Sequence, residues 1–338
     1  MTLPLVRLQT LYPGQMGVAG SDVARGIRWS PSAIVLYVDE NHPAANAVND
    51  GTDPENPLNS VQVAVDRLIA FQTASAASLA GSYIVIGAGA TLVESVIVPA
   101  NAPVGCTILG DTSGGFMPSW QPATATGIAL TLRAHSWRVT GIKFTWSGNG
   151  TGVRLDRNDT IGYEACACQI DNCRFFGHYN GLYAIEFYGS PSNCRILNNE
   201  FAEIRSVGTA GTAYAILCTE SSDSNPYLET VAGNTFWECE NYIGSLNNDK
   251  SFNLSLFQNN VFHKGALIPA AIKLDLRGGS RGLNIVTGNV FFGDYSQPGG
   301  YWAHATAPDL WVGNWTDDIA EVGQVDVTTG ITYAPPAA

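Results

Sequence analysis

Seven six-residue windows recur along this chain, and each ends on an aromatic ring: VTGIKF at Phe144, IDNCRF at Phe175, ILNNEF at Phe201, VAGNTF at Phe236, FQNNVF at Phe262, VTGNVF at Phe291 and LWVGNW at Trp315. Each window opens on a β-former or an aromatic. Five carry an Asn just ahead of the final ring: Asn199, Asn234, Asn260 and Asn289 stand two residues before it, and Asn314 one before it. The rings lie 24 to 35 residues apart. Self-similarity at a period of about 20–50 residues marks a stacked array in which each unit touches only its neighbours. A second apolar strand follows most of the windows: GVRLD (152–156), YAIEF (183–187), YAILC (214–218), NYIGS (241–245) and AIKLDL (271–276). Each repeat is therefore a coil of at least two strands separated by turns.

Composition points the same way. Charged residues make up only 14% of the 338 and Gly contributes 36, which favours turn-rich β structure over helix. In a parallel stack, equivalent residues of successive coils lie about 4.8 Å apart, so identical side chains form columns. The rings of Phe144, Phe175, Phe201, Phe236, Phe262, Phe291 and Trp315 are expected to stack inside. The Asn side chains are expected to form a ladder, each amide donating to the next amide oxygen. The alternative is that each Asn simply tolerates a left-handed turn conformation.

Ahead of the repeat comes a strand, AIVLYVDE (33–40), then a polar loop with Asp50-Gly51, Pro54 and Pro57 as turn formers. Ser60 is placed to cap a helix in which Val61, Val65, Leu68 and Ile69 share one face. Such a helix would cover the first exposed edge of a stacked β array. These residues carry a resemblance. YVDE…NDGTDPENPLNSVQVAVDRL, followed by YIVIGAGATLVESVIVPANAPVGCTILGD (83–111), resembles the entry of the pectate-lyase-like superfamily, which includes phage tailspikes and pectin methylesterases. Gly89, Glu94 and Ile108-Leu109-Gly110-Asp111 hold that family's places, with Thr91-Leu92 where an aromatic is common. The resemblance covers roughly residues 35–318 and implies an all-β, right-handed, single-stranded parallel β-helix with an N-terminal capping helix. Residues 1–33 are expected to be an arm or attachment segment, 34–320 the β-helix, and 321–338 a C-terminal strand or tail.

Polysaccharide cleavage on such a rod would need surface carboxylates, about 5–9 Å apart for a hydrolase. The best column is Asp156, Glu186 and Asp275, each just after an apolar residue of the second strand, but Cys218 falls at the intervening rung. Only Asp156 and Glu186 are left as a pair, and the bland alternative for them is a solvated strand face. Glu220 and Asp223 form a second, no stronger candidate. A lyase would add a basic residue; Arg154 and Arg157 flank Asp156. The methylesterase segment is replaced by Gly177-His178-Tyr179-Asn180. The five His (42, 135, 178, 263 and 304) show no metal-ligand spacing, so no metal and no cofactor are expected. Trp120, Tyr179, Tyr227, Tyr295, Tyr301 and Trp302 lie in loops, where such rings stack on sugars or anchor interfaces.

A net charge of −12 opposes nucleic acid and anionic membranes as partners. No run reaches the roughly 18–20 apolar residues of a membrane span. The opening MTLPLVRLQTLYPGQMG does not read as a secretory leader. The seven cysteines show no paired C-x-x-C spacing and are expected to be buried, reduced thiols, which suits assembly in a cytoplasm. The resemblance then implies a non-catalytic structural protein of a tailed-phage virion, in the capsid, spike or tail. It would form a homotrimer, attach to other virion proteins through residues 1–33, and meet a host surface glycan. The alternative is a tailspike-like depolymerase, a glycosidase or lyase, acting on that glycan.

Overall fold

The computed structural model describes residues 32–75, 78–146, 148–158, 161–208, 212–219, 225–245, 252–263, 274–276, 282–292, 301–302, 309–316 and 323–325. Most of the expected arm (1–31) and most of the expected tail lie outside them. Three sheets run the length of the stack, and the chain visits them in turn on every coil. Sheet 1 runs from Val35–Val38 to Leu310–Val312, sheet 2 from Thr91–Val93 to Gly323–Val325, and sheet 3 from Val96–Val98 to Tyr301–Trp302. Neighbouring strands pair in parallel, except that Tyr163–Glu164 and Gly323–Val325 are antiparallel additions. This is the parallel β-helix that the resemblance implies, with three strands to a coil where the repeat alone shows at least two.

The helix Val61–Ser75 closes the first coil, burying Val61, Ala64, Val65 and Leu68 against it. Its N-terminus is fixed from the next coil. The Glu94 carboxylate accepts from the Val61 N–H (2.8 Å), the Gln62 N–H (3.4 Å) and the Ser60 hydroxyl (2.7 Å). An anion at the positive end of the helix satisfies donors that otherwise lack partners. Gly110 ends its strand where the Gly141 carbonyl of the next coil would lie 2.1 Å from an added Cβ, so no side chain fits there.

The interior of sheet 2 is a column of rings. Phe144, Phe175, Phe201, Phe236, Phe262 and Phe291 align rung by rung. Their centroids lie 4.8–5.0 Å apart with planes within 9°. Trp120, expected in a surface loop, is instead the first member, stacked 5.6 Å from Phe144. Trp315 is not a member: it pairs with Val290, Phe291 pairs with Thr316, and the Trp315 side chain is 56% exposed. The reason is that Asn314, not the ring, sets the register. With Asn314 at the bend, the position two residues later is Thr316, and its backbone takes the rung of Phe291. Trp311, buried in sheet 1, stacks against Phe291 instead.

The bend between sheets 1 and 2 holds the Asn residues. Nδ2 of Asn199, Asn234, Asn260 and Asn289 each donates to Oδ1 of the next Asn at 2.9–3.1 Å, ending on Asn314. The same oxygens accept the backbone N–H of the preceding Asn. Each Nδ2 also donates back to a carbonyl of the coil before, as Asn260 does to Val231. The left-handed conformation belongs to the residue ahead of each: Asn198, Gly233, Asn259, Gly288 and Gly313.

A second ladder, chemically mixed, stands at the bend that enters sheet 1. Glu229 Oε2 accepts from the Cys194 N–H, Ser255 Oγ from the Glu229 N–H, Asn284 Oδ1 from the Ser255 N–H, and Asp309 Oδ1 from the Asn284 N–H. Here too the preceding residue is left-handed: Asn193, then Leu228, Leu254 and Leu283 with φ of 61°, 53° and 59°. For leucine this conformation costs roughly 1–2 kcal/mol per residue.

Glu229 is the more deeply buried of the two acids in this ladder, Asp309 being the other, and its Oε1 has no hydrogen-bond partner. Burial pushes its carboxyl well above the ordinary carboxylate range. A carboxyl whose folded pKa is raised folds as the neutral acid. The stability this contributes is fully present below the unfolded pKa of about 4.3 and is lost as pH rises through the raised folded value. Glu229→Gln is therefore expected to match wild type near pH 4. At pH 8 it should exceed it by on the order of 1 kcal/mol or more. Urea midpoints at the two pH values check this, and equal midpoints at pH 8 would refute it.

Candidate functional site

The longest strands, Thr151–Asn158, Tyr183–Gly189 and Tyr214–Thr219, lie side by side in sheet 3. Period-two alternation sends Val153, Leu155, Ile185, Phe187, Ile216 and Cys218 inward. The residues between them face out, and there the sequence has placed Arg, acid, Tyr and Thr. Two outward columns result. One holds Thr131, Arg154, Glu186 and Leu217; the other holds Asp156, Tyr188 and Thr219.

The acids are not open to solvent. Glu186, 2% exposed, takes Arg154 Nε at 2.6 Å and the Thr219 hydroxyl at 2.8 Å. Asp156, 4% exposed, takes Arg133 Nε at 2.9 Å through Oδ2, while Oδ1 has no hydrogen-bond partner. The two guanidiniums are in turn stacked on rings: Arg133 lies 4.1 Å from the Tyr163 centroid and Arg154 4.8 Å from that of Tyr188. Tyr163 arrives on the short antiparallel strand that folds back over Asn158. Arg157 extends the patch. Its Nη1 donates to the Ser190 carbonyl at 2.9 Å and sits 3.4 Å from the Tyr227 hydroxyl, and this contact holds the Tyr227 phenol below its ordinary pKa.

The expected carboxylate column is thus corrected on two counts. Asp156 and Glu186 both face out, but they do not share a column: Asp156 aligns with Tyr188, and Glu186 aligns with Arg154. The one-coil pairing read from "an acid after an apolar residue" is displaced by two residues, because the strands pair Leu155 with Phe187 and not with Ile185. Nor is this a solvated strand face, since each acid is buried under an arginine. Cys218 does not interrupt a surface column; it points inward on the rung of Phe187. Asp275, also buried, aligns with Trp302. Glu220, Asp223 and Tyr295 lie outside the described residues. Tyr179 is half-buried, with its hydroxyl donating to Glu238 at 2.7 Å, a bond that raises its pKa to about 12. Sequence reasoning missed Arg133 and Thr219, whose roles depend on cross-coil register alone.

Among the described residues no group of three or more His, Cys, Asp or Glu side chains is placed to hold a metal ion. All seven cysteines are unbridged, and six of them are buried. No helix among the described residues is long and apolar enough to cross a membrane.

Residues 126–314 match the family described as a right handed beta helix region. Among solved structures, an alginate lyase from Paenibacillus sp. str. FPU-7 is similar at 15% identity and TM-score 0.48, over 75% of this chain and 93% of that one. The pectate lyase Pel9A is similar at 13% identity and TM-score 0.45, over 87% and 82%. The Dettilon tailspike protein is similar at 12% identity and TM-score 0.33, over 90% and 73%. These likenesses concern the fold alone. No curated protein matches the chain.

Proposed function

Because this chain belongs to the right-handed β-helix family, we propose that it is a rigid, non-catalytic structural rod of a tailed-phage particle, in the capsid, spike or tail, and that the outer face of sheet 3 meets a host surface glycan. One observation carries the non-catalytic part. The outward acids best placed for cleavage, Asp156 and Glu186, are each buried and engaged by an arginine. A cleaving acid or base must come within hydrogen-bond reach of the reacting oxygen. A buried carboxylate held by a guanidinium braces the coil instead. The Arg and Tyr side chains around them offer donors and ring faces of the kind that hold sugars. Seven unbridged cysteines suit assembly in a reducing cytoplasm. The placement in a phage particle rests on the resemblance to tailspikes.

Two experiments test this reading. Mass spectrometry of purified virions is expected to find the chain, and particles lacking it are expected to adsorb or survive heating less well. Its absence from virions would overturn the placement. Incubated with host capsule or lipopolysaccharide, the protein is expected to bind without shortening the chains. A depolymerase is the second reading, favoured by the partnerless Asp156 Oδ1. Shortening of the glycan that Asp156→Asn or Glu186→Gln abolishes would establish it in place of the first.

A further inference from the structure

The first three strands of sheet 1 carry apolar side chains on both faces. Leu36, Val38, Ile84, Ile86 and Ile108 point into the core. Between them, by period-two alternation, Val35, Tyr37, Tyr83, Val85 and Leu109 point outward. These five form a second apolar cluster of their own, and none is more than 8% exposed. The same two outward columns run on to the far end of the rod. The column of Val35 and Tyr83 ends on Ile285 and Leu310, and that of Tyr37, Val85 and Leu109 ends on Val312. There Ile285, Leu310 and Val312 are 43%, 51% and 44% exposed. Sheet geometry and residue type are alike at the two ends, so what differs is a cover over the first three strands.

The helix Val61–Ser75 is not that cover. Its buried residues belong to the core, with Leu36, Val38 and Ile84, at the end of the stack. No further apolar side chain among the described residues belongs to the outer cluster. Residues 1–31 lead straight into it: Pro31 stands four residues before Val35, within about 14 Å of chain. Residues 326–338 start beyond the last rung of sheet 2, at the opposite end of the rod. The composition of residues 1–31 also suits a cover. Leu3, Leu5, Val6, Leu8, Leu11 and Tyr12 supply apolar surface. Arg7, Arg25 and Arg28 stand against one acid, Asp22, in a chain of net charge −12, so the segment is drawn to its own acidic rod.

We infer that residues 1–31 dock on the outer face of Val35–Val38, Tyr83–Ile86 and Thr107–Gly110, with their apolar residues over Val35, Tyr37, Tyr83, Val85 and Leu109. The short tether makes this docking intramolecular, and closing so short a loop costs little chain entropy. The arm thereby has a resting place on its own rod. A partner that takes the arm away would bare an apolar patch at the N-terminal end of sheet 1, so release of the arm and exposure of that patch are one event. Nothing in this docking depends on where the rod sits in a particle.

Trypsin digestion of the full chain tests this, with Arg7, Arg25 and Arg28 as the reporting sites. In wild type these bonds are expected to be cut slowly, at a rate independent of protein concentration. Tyr83→Thr with Leu109→Thr keeps β-formers in the strands and removes apolar surface from the outer face alone. Cleavage is then expected to be faster by about tenfold or more, because it follows the population of the undocked arm. Leu5→Ser with Leu8→Ser is made in the arm, leaves the interior of the rod untouched, and is expected to give the same increase. Both pairs break one contact, so combining them should add little beyond either. Hydrogen exchange of Thr235–Trp237 and Leu256–Gln258 reports whether the rod is intact, and if the strand variant fails to fold, the arm variant decides. Wild-type bonds cut as fast as those of the arm variant overturn the inference. So does protection that disappears on dilution, which would make a second copy the cover, or an arm that stays protected in both variants.

Discussion

Replacing Asn260 by Ala lowers stability by about 4 kcal/mol, because several buried groups lose their partners at once and each such loss costs about 1–3 kcal/mol. The Asn234 N–H and Nδ2 both lose Oδ1 of Asn260 as acceptor, at 3.0 Å each. The Val231 carbonyl loses its side-chain donor at 2.9 Å, and Asn289 Oδ1 loses one of its two. None of these groups is near solvent, so water does not replace the lost bonds. Asn260→Asp is expected to be at least as harmful. A carboxylate would still accept from Asn234, but it would set an oxygen against Asn289 Oδ1 and bury a charge. Equilibrium unfolding in guanidinium chloride measures both, and a loss under 1 kcal/mol for the alanine variant would show that the ladder merely fills space.

Phe236→Ala is expected to cost about 3–5 kcal/mol, the range for removing a large ring from a close-packed core. Phe236 has Phe201 stacked on one side and Phe262 on the other, both at 4.8 Å, so the cavity is walled by rings that cannot close it without breaking coil register. Trp315→Ala supplies the contrast. The sequence places Trp315 in the same column, but its exposed ring lies outside the core, and its removal should change protomer stability by no more than about 0.5 kcal/mol. Equal losses for the two variants would put Trp315 back in the column. Both are measured by equilibrium unfolding in guanidinium chloride.

The Phe and Asn columns were legible because the same residue returns at the same place in each coil, and only stacking makes such a recurrence useful. The second ladder was not, although it serves the other bend of sheet 1 in the same way. Its members are Cys194, Glu229, Ser255, Asn284 and Asp309, and five different side chains show no recurrence. What unites them is the next backbone N–H, which the spelling of the chain does not reveal. Trp120 was lost among loop aromatics for a related reason: its window has no Asn, so nothing marked its register.

The candidate site was legible as a set of residues and illegible as an arrangement. Asp156 and Glu186 were offered as surface acids, and Arg154 only as a chain neighbour of Asp156. Which acid meets which arginine depends on how residues 23 and 32 positions apart in the chain are brought side by side on neighbouring strands. By itself the sequence determined the coil period, a stacked array of coils, the capping helix and six of the seven rings it assigned to the inner column, because these follow from residue type and spacing within one coil. Only the tertiary structure decided that the sheet 3 acids are sheathed in arginine, that Glu229 is entombed, and that three leucines are held in a strained, exposed corner. Those outcomes are set by hydrogen bonds between coils, whose register the side-chain period leaves free to slip by two.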